Sequence, residues 1–121
     1  MKEVDKMSLE RIFKALVKLG FSETDARVYI FLATKEPNIA RNIAEALKIN
    51  KQQIYLSLKR LQAKEIVNST NEQPATFSAL AFEEALDKLL AAKTEEAKNL
   101  EQSKEEILSV WRTNGNTESY S

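Results

Sequence analysis

The 121-residue sequence predicts a mainly α-helical fold with one small β-hairpin. Three observations lead there. Only two glycines and two prolines interrupt the chain, which favours helices over a turn-rich β fold. Apolar residues recur at spacings of three and four over most of the length. The short runs Ile66-Val67 and Thr76-Phe77-Ser78 stand on either side of a polar turn that contains Pro74.

The first helix is expected from Ser8 to Leu19. Ser8 offers an N-cap, with Arg11 rather than Glu three residues on. Leu9, Ile12, Phe13, Leu16, Val17 and Leu19 make one apolar face, and Gly20 ends it. A second helix starts at Ser22-Glu23-Thr24-Asp25, its acids facing the positive end of the helix dipole. It carries Ala26, Val28, Tyr29, Ile30, Phe31, Leu32 and Ala33, apolar almost all round, and belongs at the centre of the core. Pro37 stops it.

The third helix runs from Ile39 to Leu47 behind an Asn38 cap and buries Ile39, Ile43, Ala44 and Leu47. After a tight break at 48–50, Asn50 followed by Gln53 is a capping-box pattern for a fourth helix. That helix, 50–64, buries Ile54, Leu58 and Leu61. Two short amphipathic helices around such a break form a helix-turn-helix. The hairpin over 66–78 is too small to stand alone and must pack on the helices.

From Ala81 to Arg112 the pattern reads as helix without interruption, ~32 residues or ~48 Å. Its apolar stripe includes Leu86, Leu90, Ala97, Leu100, Ile107 and Trp111, with Lys93 and Lys104 falling on it. Such a stripe is too long for a small domain to cover, so these six residues are expected to pair with a second copy in a short coiled coil. The polar stretch 114–121 is expected to be disordered. The fold class is thus mainly α with a small β-hairpin wing: a winged helix-turn-helix over 1–80 and a long dimerisation helix over 81–113.

Composition narrows the chemistry. The chain has no cysteine and no histidine, which excludes thiolate nucleophiles, disulfides, imidazole bases and the usual zinc sites. The pairs Glu95-Glu96 and Glu105-Glu106 are read as a solvated face. No catalytic residue, metal or other cofactor is expected. No apolar run approaches the roughly 20 residues that span a bilayer, and the acidic start is unlike a signal peptide. A cytoplasmic protein with no membrane contact follows as the expectation.

The net charge is zero but segregated. Residues 38–64 hold six bases against the single acid Glu45, a local charge of +5, while residues 81–121 sum to −4. A basic helix-turn-helix points to double-stranded DNA. On the fourth helix Lys51, Gln52, Gln53, Ser57, Lys59 and Arg60 are expected to face outward. Gln52 and Gln53 suit base reading, and Lys51, Lys59 and Arg60 suit phosphate. Tyr55 packs at the core edge with its hydroxyl toward phosphate. Arg41 and Asn42, opening the third helix, are placed to grip the backbone beside the groove, and Thr70 at the wing tip to touch sugar-phosphate.

These segments resemble the amino-terminal DNA-binding domain of the TrmB-like transcriptional regulators, a largely archaeal group in the MarR-like winged-helix set. The resemblance covers roughly Leu16 to Leu90. It rests on LVKLGFSETDARVYIFL (16–32), on NIAEALKINKQQIYLSLKRLQAKEIV (42–67), and on Pro74, Phe77 and Ala85-Leu86. The pattern departs at Glu65, where such domains usually have Gly at a left-handed cap, and at Asn50, often Pro. It departs also in a wing turn carrying Glu72 and no base. The resemblance implies a DNA-binding regulator that reads DNA through helix 50–64; together with the long apolar helix, a sequence-specific homodimer on a pseudo-palindromic site is the expectation. No effector-binding domain is expected after residue 113, so sugar sensing is not implied and the effector is left unassigned. The alternative is a winged-helix protein-interaction adaptor in a transcription complex, without sequence-specific DNA binding of its own.

Overall fold

The computed structural model describes residues 6–115. They divide between two units, Met1–Leu89 and Leu90–Ser121. The first holds four helices, α1 (Lys6–Lys18), α2 (Glu23–Thr34), α3 (Ala40–Leu47) and α4 (Lys51–Ala63), and three strands, β1 (Asn38–Ile39), β2 (Val67–Ser69) and β3 (Thr76–Ala79). Mainly helical with a small antiparallel sheet, this is the winged helix-turn-helix that the sequence predicts.

α2 is the central element. Its Ser22 cap is as expected, the hydroxyl accepting the Asp25 N–H at 3.0 Å. Ala26, Val28, Tyr29 and Leu32 of α2 pack with Leu16 of α1, Ile43 of α3, and Ile54, Leu58 and Leu61 of α4. The Tyr29 hydroxyl donates to the Leu80 carbonyl at 2.6 Å, which ties α2 to the end of β3. Burial pushes the Tyr29 phenol up to about 12, because the phenolate would lose its water.

Three of the four helices end alike. At the end of α1, Phe21 N–H reaches the Leu16 carbonyl and Gly20 N–H the Val17 carbonyl, with Gly20 at φ 104°. α3 closes with Ile49 N–H on the Ala44 carbonyl around Lys48 at φ 59°, and α4 with Ile66 N–H on the Leu61 carbonyl around Glu65 at φ 65°. These are Schellman closures, which turn the chain sharply by placing one residue in the left-handed region. The departure at Glu65 is thus a real conformational one: a side chain sits where glycine costs least.

Three expectations need correction. Helix α1 begins at Lys6, so Ser8 lies within it rather than at its cap. Asn38 and Ile39 do not open the third helix; they form β1, pairing with Phe77 and Thr76 in a sheet of order β1-β3-β2. Ile39 is extended (φ −90°, ψ 159°), and the Asn38 carboxamide oxygen takes the Ile39 N–H and the Asn42 amide instead of capping α3. Two residues just past Pro37, one of them β-branched, favour extended backbone at the edge of the hairpin. β2 pairs with β3 through Val67–Ala79, Asn68–Ser78 and Ser69–Phe77, close to the expected hairpin.

The third correction concerns the helix expected over 81–112. It is interrupted: α5 spans Phe82–Gln102, α6 spans Lys104–Val110, and Trp111–Gly115 forms a π-helical turn. The first two turns of α5 belong to the first unit, where Ala85 and Leu89 complete the core. At Ser103 the N–H is shared between the Asn99 and Leu100 carbonyls, which tightens the turn without ending the ladder, since Ile107 N–H still bonds the Ser103 carbonyl. Ser103 followed by Glu106 is itself a helix-start pattern, with Glu105 and Glu106 in the first turn of α6. The disorder expected over 114–121 falls mostly outside the described residues.

Candidate nucleic-acid interface

α4 is positioned by its neighbours before any ligand is considered. Its Asn50 cap accepts the Gln53 N–H at 2.9 Å, as the sequence pattern implies. Ile54, Ser57, Leu58 and Leu61 form the buried face. At 100° per residue, the opposite face is centred on Gln52, Leu56, Lys59 and Ala63, with Tyr55 on one shoulder and Arg60 on the other. Lys51, Gln52, Gln53 and Lys59 are exposed, as expected.

Ser57 is not on that face. It is fully buried, and its hydroxyl donates to Asp25 Oδ1 at 2.6 Å. At 100° per residue it lies between Gln53 and the buried Leu61, about 40° from each, and packing turns it to the core, so it leaves the interface. Arg60 is exposed, as expected, and its head group already has a partner. Its guanidinium makes a two-point grip on Asp25, Nε to Oδ2 at 2.9 Å and Nη2 to Oδ1 at 2.8 Å. Arg60 is half-exposed while the Asp25 side chain is 5% exposed. Burial pushes the Asp25 carboxyl up, but the hydrogen bonds from Arg60 and Ser57, with the arginine charge, outweigh it and hold the group below the usual aspartate range. The sequence reading placed Asp25 only at a helix start. Its true role, joining α2 to α4, links residues 35 apart in sequence, a distance that local pattern does not reach.

Two other contacts set the frame. Arg27 of α2 donates to the Leu47 carbonyl at 3.0 Å, holding the end of α3 just before the turn. Gln62 of α4 donates to the Ser69 hydroxyl at 3.1 Å, holding the wing. Arg41 and Asn42 are exposed on the first turn of α3, and Asn42 bonds Asn38 at 2.7 Å. Thr70 is exposed, but its hydroxyl oxygen accepts the Thr76 N–H at 3.0 Å and the Glu72 N–H at 3.4 Å, closing the wing loop.

Sequence reasoning missed Leu56. It is 51% exposed at the middle of the outward face, beside Tyr55 at 47%. The signal was available: Leu56 stands four residues after Gln52 and three before Lys59, on the same helical stripe. Lys51 Nζ lies 6.0 Å from the Tyr55 ring centroid, a cation–π approach that directs the ammonium along the helix. Between α4 and β3 lies an open groove of ≈ 500 Å³ lined by Lys51, Gln52, Tyr55, Leu56, Lys59 and Phe77 among others.

In the second unit, Leu90, Leu100, Ile107, Val110 and Trp111 are exposed large apolar side chains, and Ala97 is exposed with them. Leu86, in the first unit, is half-buried. Among the described residues no cluster of acids has the makings of a metal site, and no helix is long and apolar enough to cross a membrane.

The architecture has known counterparts. TrmBL2, described as an archaeal chromatin protein with a novel mode of DNA binding, superposes with a TM-score of 0.71 at 20% identity, over 95% of this chain and 46% of that one. This chain therefore spans about half of TrmBL2. The ST1889 protein of Sulfolobus tokodaii superposes at 0.60 with 23% identity, covering 74% of this chain and 97% of its own. The transcriptional regulator Tm0710 of Thermotoga maritima gives 0.55 at 15% identity, covering 88% and 83%. At these identities the likeness is one of fold. No curated protein sequence matches the chain. The model of the family described as sugar-specific transcriptional regulator TrmB matches residues 16–83, more than half of the sequence and the whole span from the end of α1 to the start of α5. The chain belongs to the TrmB family of transcriptional regulators.

Proposed function

We propose that the chain binds double-stranded DNA as a homodimer, each copy laying α4 in a major groove of a pseudo-palindromic site. The observation that carries this reading is the outward face of α4: Gln52 and Lys59 at its centre, with Lys51 and Gln53 at its exposed start. The local charge of +5 over 38–64 supplies the attraction, and Gln side chains suit the paired donor and acceptor of adenine. TrmBL2, which shares the fold, is described as binding DNA. Two α4 helices would sit roughly 34 Å apart or at a multiple of that spacing. The pairing surface is the apolar stripe Leu90, Ala97, Leu100, Ile107 and Trp111, together with Leu86.

Glu72 is the lone charge in the wing loop 68–75. α4 must therefore do most of the recognition, and an acidic wing is also what a protein-binding adaptor would carry. Selection of bound sequences from a random duplex pool, followed by titration of the winner at several salt concentrations, separates the two. DNA binding predicts a steep fall of affinity with salt. Lys51→Ala and Lys59→Ala should each weaken all duplexes and reduce the slope by about one. Gln52→Ala should change which sequence wins. No duplex binding at low salt would leave the adaptor reading instead.

A further inference from the structure

We infer that Leu56 is a specificity-determining residue that reads the 5-methyl group of a thymine, so that each half-site carries a preferred thymine under the middle of α4. The inference rests on the reading of α4 as the DNA-facing helix and adds the base to it.

A large aliphatic side chain at the centre of a helix face, between Gln52 and Lys59, gains free energy when an apolar group covers it. Leu56 is 51% exposed, and it is not at the edge of the core: Ile54, Ser57 and Leu58 take the opposite face. Its neighbours on the stripe are Gln52 and Lys59, with Lys51 held near the Tyr55 ring. What covers Leu56 must therefore be an apolar spot embedded in a strongly anionic surface that also offers hydrogen-bonding edges. A major groove meets that description. The thymine methyl is the apolar feature that the base edges present there, and leucine has no hydrogen bond to offer any other base. A protein partner would need an apolar patch ringed by acids; Gln52 and Lys59, which flank Leu56 on the same stripe, bring hydrogen-bonding groups that suit base edges and phosphate and favour the groove.

The test uses the full chain and the duplex chosen by random-pool selection. Each thymine is replaced in turn by deoxyuridine, which removes the methyl and leaves the pairing intact. Wild type should lose about fourfold in affinity at one position of each half-site, the loss that one methyl's transfer free energy converts to. Leu56→Ala, at an exposed position, should lose a similar factor on the thymine duplex and become indifferent to uridine. Tight binding that no uridine weakens would overturn the role of Leu56 and leave the DNA reading standing. A Leu56→Ala variant that keeps full uridine sensitivity would overturn it too, passing the contact to another side chain. A wild type that binds no duplex at all removes the underlying reading itself.

Discussion

Asp25 is nearly enclosed, yet it keeps its charge, because Arg60 and Ser57 both donate to it and Ser22 accepts the N–H of the same residue. Its carboxyl titrates lower in the folded chain than in the unfolded one. The carboxylate therefore stabilises the fold at pH above the ordinary aspartate range, and that contribution is lost as pH falls through the lowered value. Asp25→Asn should lower the melting temperature at neutral pH and flatten the acid side of the stability profile, as followed by circular dichroism. Ser57→Ala leaves the carboxylate one donor short and should cost about 1–2 kcal/mol. Glu65 presents the opposite case. Held at φ 65° with only an exposed ion pair to Lys88 at 3.3 Å, it carries a left-handed backbone without compensation of similar size. Glu65→Gly should raise stability by about 1 kcal/mol in thermal denaturation.

Among the elements, α2 is the one to which the others are fastened: to α4 through Asp25, to α3 through Arg27 and to β3 through Tyr29. Tyr29→Phe strands the Leu80 carbonyl and should cost about 1–3 kcal/mol in urea denaturation. The same phenol, neutral up to about 12 when folded, gives a stability that holds below pH 10 and drains away between 10 and 12. All four helices of the first unit and the hairpin were legible in the sequence, since their 3.6-residue periods and the Ser22 and Asn50 caps are local, while the caps expected at Ser8 and Asn38 lay elsewhere. Ile54, Leu58 and Leu61 of α4 followed from the same spacing, and the central place of α2 from its nearly all-round apolar surface. What escaped was not local. The edge pairing of Asn38–Ile39 depends on a strand nearly forty residues on, and the Asp25–Arg60 pair on helix packing. Ser57 was expected outward and Leu56 was given no role because polarity was weighed above angular position: the serine faces the core and the leucine faces outward. The hitch at Ser103 lay in a recognisable start pattern, masked by the absence of glycine and proline.

At the scale of the whole molecule, the exposed stripe from Leu90 to Trp111 is read as the pairing surface of the homodimer. Leu100→Glu with Ile107→Glu should convert a dimer to a monomer in sedimentation velocity and reduce affinity for a two-half-site duplex far more than for a single half-site. A wild type that sediments as a monomer at micromolar concentration would remove the pairing reading. The fastening of α3 and α4 to one central helix has a further consequence for control. To tilt α4 by itself, a signal would have to open a buried carboxylate–guanidinium grip and strand Ser57. Moving the reading head as a solid piece breaks none of those bonds. In the proposed dimer, regulation would therefore be cheapest as a change in the distance or angle between the two α4 helices, which an operator would sense as a change in the phase of its half-sites.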